Sequence, residues 1–130
     1  MPRIARLRSL RLAAALALVL SAGSAWAAPS NKWRIEVDSD ARSSGEIVFE
    51  LTPVSGMPVE IVVAIPAPTD ENAVAGLIRD ALVAHLGSAY RVELDDGEHV
   101  LVKKQDGAAD FELRLVRQTV GGAQIALDPE

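Results

Sequence analysis

The chain has 130 residues, with 13 Lys and Arg against 18 Asp and Glu, no cysteine and only five aromatic residues. That length accommodates one domain, and the lack of thiols excludes a disulfide-stapled scaffold, a zinc–thiolate site and a thiol enzyme. All eighteen acids but only nine of the bases follow residue 27, so the remainder carries a net −9, the wrong sign for a typical nucleic-acid binder.

Residues 1–27 read as a secretory signal peptide. Arg3, Arg6, Arg8 and Arg11 form a basic start, and Leu12 to Leu20 follow as an unbroken apolar run. Ala25-Trp26-Ala27 then offers small residues at both positions a signal peptidase accommodates, which predicts cleavage after Ala27. As a retained anchor the nine-residue run is too short, because a helix rising 1.5 Å per residue would cover under half of a bilayer core of about 30 Å. The expected location is therefore the periplasm or the medium, with residues 28–130 as one small domain.

From Lys32 the pattern alternates, with Trp33, Ile35 and Val37 on one face and Lys32, Arg34, Glu36 and Asp38 on the other, which predicts a half-buried strand. Turn chemistry over 38–45 precedes a second strand with Ile47, Phe49 and Leu51 inward. A loop through Pro53, Gly56 and Pro58 leads to a third with Val59, Ile61, Val63 and Ile65, completing a predicted meander. Pro66 and Pro68 stop the sheet. Thr69 is the expected N-cap of a helix opening on Asp70 and Glu71, with Val74, Leu77, Ile78, Ala81, Leu82 and Leu86 as one apolar stripe and Gly87 as its stop. Gly76, inside that helix, is expected where the helix approaches the sheet closely.

Tyr90, Val92 and Leu94, an Asp95-Asp96-Gly97 turn, and the run His99 to Lys103 predict a hairpin. A three-residue loop pairing Leu94 with Glu98 and Val92 with Val100 places Val100 and Val102 on the Tyr90 face, and His99, Leu101 and Lys103 opposite. Phe111, Leu113 and Leu115 form a further strand, and Gly121-Gly122 a last turn into Ile125 and Leu127. The order β-β-β-α-β-β-β-β, with short connections, predicts an α+β fold of about six to seven antiparallel strands in one sheet, with the amphipathic helix on one face.

The candidate functional residues fall into two groups. Glu93, Asp95, Asp96 and Glu98 crowd the hairpin tip beside His99, an arrangement open to three readings: a solvated turn, a weak Ca²⁺ or Mg²⁺ site through oxygen ligands, or a partner-binding tip. Val48, Val62 and Val116, together with Leu101, are expected on the outer sheet face, where β-branched side chains imply an exposed patch or a covering partner. Arg114, Arg117, Lys103 and Lys104 are weighed as a basic stripe on neighbouring strands. His85, at the helix end, complements the dipole.

Other chemistries fail on spacing. Asp38-Ser39-Asp40 starts like a calcium-binding loop, but Ser43 stands where glycine is needed and Phe49 where a bidentate glutamate is needed. No serine lies in a nucleophile-elbow motif and no glycine-rich phosphate loop occurs, so neither an enzyme nor a cofactor is expected. The expected function is a non-enzymatic exported protein-binding module, an acidic inhibitor or immunity-type protein for a basic envelope partner. The alternatives are a structural subunit self-associating through sheet edges and a small-ligand or calcium carrier.

Overall fold

A computed structural model describes residues 28–130; the expected signal segment, 1–27, lies outside them. The described residues form an α+β fold of antiparallel strands with one helix among them: β1 (Lys32–Asp38), β2 (Gly45–Pro53), β3 (Val59–Ile65), α1 (Glu71–Leu86), β4 (Tyr90–Asp95), β5 (His99–Lys104), β6 (Phe111–Gln118) and β7 (Gln124–Pro129). A single 3₁₀ turn, Gly87–Ala89, joins α1 to β4.

The strands form two sheets, not the single sheet expected. One has four strands in the order β4-β5-β1-β7 and the other three in the order β3-β2-β6. The predicted meander therefore breaks after β1, which pairs with β5 and β7 instead of β2. Alternation of apolar and polar residues fixes which face of a strand is buried but says nothing about its neighbour. β6 and β7 likewise belong to different sheets, so their glycine turn is a crossover and not a hairpin.

Two of the crossovers between the sheets, 39–44 and 119–123, clasp each other. Arg42 N donates to Gly121 O at 2.8 Å, and Gly121 N donates to Ser43 Oγ at 2.8 Å. Gly122 has φ 93°, and a Cβ there would lie 2.5 Å from Asp40 O, so only glycine fits this close approach.

Both sheets turn their apolar faces to one core. Trp33, Ile35, Val37, Val100 and Val102 from the four-stranded sheet meet Ile47, Phe49, Leu51, Ile61, Val63, Phe111 and Leu113 from the other. The Trp33 indole is buried without penalty because Nε1 donates to Phe111 O at 2.9 Å. Tyr90 lies edge-on to Phe111 with ring centroids 5.1 Å apart, and burial there raises its phenol pKa.

α1 packs mainly against β3 and β4, an edge strand from each sheet, and buries Val74, Ala75, Ile78 and Leu82. Its N-cap is Asp70, one residue beyond the expected Thr69: the Asp70 carboxylate accepts from Ala73 N at 2.8 Å, while the Thr69 hydroxyl donates to Pro66 O. Asp40 adds a second carboxylate, accepting from Glu71 N at 2.9 Å, which ties the first crossover to the helix start. Gly76 does not mark a close approach, since a Cβ there would meet nothing within 4 Å. Among the described residues no helix is long and apolar enough to cross a membrane.

Candidate functional site

Two outward faces carry the residues singled out from the sequence, one on each sheet, and their chemistry differs. On the four-stranded sheet the ladder sets charges in rungs. Arg91, Lys103 and Lys32 lie side by side across three strands; Glu93, Leu101, Arg34 and Asp128 form the next rung, and Asp95, His99, Glu36 and Ala126 the one after. Basic and acidic rungs so placed compensate diagonally.

Lys103 Nζ meets Glu93 Oε1 at 2.6 Å, and Arg34 reaches Asp95 Oδ2 at 3.0 Å and Glu130 Oε2 at 2.5 Å. Lys32 adds a contact to Glu130 at 3.4 Å. The Arg34 hydrogen bond holds the Glu130 carboxyl below the usual glutamate range, and the Lys103 hydrogen bond does the same for Glu93. Arg34 is correspondingly held more firmly protonated by Glu130 and then by Asp95.

Leu101, expected on the outer face, does lie there, yet it is buried in its rung between Arg34 and Glu93. Long charged side chains cover apolar neighbours with their stems in this way.

The hairpin loop has three residues, Asp96 to Glu98, with Asp96 and Gly97 at φ 53° and 75°. The register is Leu94 to Val100 and Val92 to Val102, two residues away from the expected pairing. A shift of two preserves the faces, so Val100 and Val102 share the Tyr90 side as predicted and His99 and Lys103 lie opposite.

At this tip the ligand atoms of Asp95, Asp96 and His99 come within 4.8 Å of one another. Two of the three already serve Arg34, whose Nη1 donates to Asp95 Oδ2 at 3.0 Å and to His99 Nδ1 at 3.1 Å. A divalent cation at this tip would have to compete with that guanidinium for Asp95 and His99. Because a guanidinium only donates, His99 Nδ1 is an acceptor, and its Nε2 points toward Glu98 Oε1 3.9 Å away. His85 Nδ1 lies 2.8 Å from Ala81 O, which only accepts, so this ring nitrogen carries a proton and closes the last helical turn.

The outward face of the three-stranded sheet is less polar. Val62, Val48 and Arg117 form one rung and Glu60, Glu50 and Arg114 the next. Val48, expected as an exposed contact residue, is only 1% exposed: β2 is the central strand, so neighbours on both sides cover it. Val62 and Val116, on the edge strands, are exposed at 37% and 51%. Val116 stands out because the β2–β6 register slips between Val48 and Phe49, leaving it without a partner in the ladder. Arg117 contacts Glu46 at 3.3 Å. The basic stripe weighed from the sequence does not form, since Lys103 and Lys104 lie on β5 and Arg114 and Arg117 on β6, in different sheets.

Sequence reasoning missed the most exposed apolar residues. The loop between β2 and β3, 54–58, is exposed throughout, with Met57 at 81% and Val54 at 63%. It is held in shape by Val54 N donating to Asp110 O at 2.9 Å and by Gly56 N donating to Pro53 O at 3.2 Å. The signal was legible as an uncharged stretch, 51–59, flanked by glutamates, with Val54 and Met57 lying between its two prolines.

The acidic tip and the apolar residues are thus not brought together; they belong to separate sheets. Comparison of the chain with protein-family models, with curated proteins and with solved structures found no match.

Proposed function

We propose that the protein is an exported, non-enzymatic protein-binding module, an acidic inhibitor or immunity-type protein that docks through its three-stranded sheet onto a basic envelope partner. One observation carries the reading. Of the seven exposed large apolar residues among those described, Val54, Met57, Val62, Leu115 and Val116 belong to β3, β6 or the β2–β3 loop, with Leu115 at the edge of the core-facing side opposite Phe49, leaving Val83 on the helix and Leu94 on β4. Exposed apolar residues scattered singly are ordinary on a protein surface; their concentration on one of two sheets supports a contact surface there.

The net charge supports the choice of partner, because a domain of −9 associates fastest with a basic protein.

The test is capture of envelope and secreted proteins on the immobilised protein, with salt elution and mass spectrometry, run beside the variant V62K/V116K. One dominant basic protein held by the wild type and lost from the variant supports the reading. Equal retention by both overturns the assigned surface.

A second reading, self-association, is favoured by the position of β6 at a sheet edge, where only Phe111 is bridged, to Ser30. A concentration-dependent mass in sedimentation would select it, and a constant monomer mass would remove it.

A further inference from the structure

We propose that the β2–β3 loop is the anchor of the interface: Val54 and Met57 insert into an apolar pocket of the partner protein whose rim is basic. This rests on the protein-binding reading above and extends it to a part of the molecule that the outward valines do not include.

Three observations lead there. Met57 and Val54 are the two most exposed large apolar side chains described, and they sit three residues apart at one loop tip. An apolar group so exposed gains from burial by roughly its whole side-chain area, and methionine in particular adapts to pockets of irregular shape.

The loop is also preorganised. Pro53 and Pro58 restrict the backbone, Gly56 N closes a turn onto Pro53 O at 3.2 Å, and Val54 N is tied across to Asp110 O at 2.9 Å. Ordering such a loop on binding costs little, which is the usual requirement for a small anchor to raise affinity.

The rim follows from charge. Glu50 and Glu60 bracket the loop and face each other directly across β2 and β3, and Glu112 lies opposite Thr52 on β6. Like charges placed directly opposite destabilise a sheet, although Glu50 also has Arg114 as its neighbour across the β6 register. A cationic rim on the partner would complement these carboxylates and the net negative charge of the whole domain. The same glutamates oppose an anionic lipid surface, so a protein pocket is favoured over a bilayer.

The loop and Val116 lie toward opposite ends of one sheet. Val54 is six residues from Val48, about 20 Å at roughly 3.3 Å per residue, so one interface of ordinary size reaches both.

The experiment places a photoreactive phenylalanine analogue at position 57, 116 or 83 of the full chain, expressed in the cells that make it. Position 83, on the helix, serves as the control. We expect position 57 to cross-link one basic protein at an apolar peptide flanked by Lys or Arg. Added wild-type protein should compete for that product, and added Met57→Asp should compete at least about tenfold less well.

A native-chain readout accompanies this. Met57 is the only methionine after residue 27, so its conversion to the sulfoxide by hydrogen peroxide should slow in the complex. Cross-linking from 116 but not 57, with unchanged Met57 oxidation, would overturn the anchor and leave the protein-binding reading standing. No specific cross-link at 57 or 116 would overturn both. Cross-linking of position 57 to lipid, or Met57-dependent sedimentation with phosphatidylcholine–phosphatidylglycerol vesicles, would overturn the pocket in favour of a membrane.

Discussion

The outward faces of the two sheets solve the same problem differently. Each belongs to a short antiparallel sheet whose other face is buried, yet one is laced by ion pairs and the other is punctuated by exposed valines. On the four-stranded sheet, Lys103–Glu93, Arg34–Asp95, Arg34–Glu130 and Lys32–Glu130 pair charges across strands, and even Leu101 is covered. On the three-stranded sheet, Val62 and Val116 are open to solvent and the joining loop exposes Val54 and Met57. Where its charges are paired, that face has less to offer a partner, since docking there would first have to desolvate or break those pairs. The apolar face has little to lose on docking.

That contrast can be broken from the core outward. The largest expected effect is Phe49→Ala, which empties a fully buried site beneath the three-stranded sheet and should destabilise by about 3–5 kcal/mol in chemical unfolding. Its neighbour on the opposite face of the same strand, Val48→Ala, should cost about 1.5 kcal/mol, because Val48 is covered although it faces outward. An unchanged midpoint for Val48→Ala would show that this face is open along its whole width.

Gly76→Ala should stabilise by about 0.5–1 kcal/mol, since the added methyl meets open space and alanine favours the helix. Loss of stability there would mean that α1 sits closer to the sheets than described.

The smallest effect concerns the charged face and is read from its pH dependence. The carboxyls of Glu130 and Glu93 have folded pKa values held below their ordinary range by Arg34 and Lys103. Each therefore favours folding above its ordinary pKa of about 4.3, and that contribution fades as the pH falls toward the lowered folded value. Arg34→Met should flatten the acid limb of the stability curve below about pH 4.5 while leaving partner retention as in the wild type. An unchanged acid limb would show that the Arg34–Glu130 contact does not persist in solution.

Much of this was legible in the sequence. The alternations around Trp33, Ile47 and Val59 and the stripe from Val74 to Leu86 identified strands, helix and buried faces, because burial imposes those periods directly. The partition into two sheets was not legible, since β1 pairs with β5 and β7, some sixty to ninety residues away, and no local period encodes a distant neighbour.

The same limitation explains Val48 and Val116. Their sequence patterns are alike, but Val48 lies on a central strand and Val116 at a register slip on an edge strand. The acidic tip was visible as a cluster of residues, whereas the pairing of Asp95 with Arg34 depends on β1 lying beside β5. Val54 and Met57 are apolar residues in an uncharged, proline-flanked turn, a pattern that marks a loop but not the exposure of its side chains.

The most direct measurement sets the two faces against each other. Retention of the captured partner is compared for the wild type, for V62K/V116K on the three-stranded sheet and for D96K/E98K at the acidic tip, with folding of each checked by thermal unfolding. The account predicts that V62K/V116K loses the partner while D96K/E98K keeps it, with slower association. Loss from D96K/E98K and retention by V62K/V116K would contradict the account and assign binding to the four-stranded sheet.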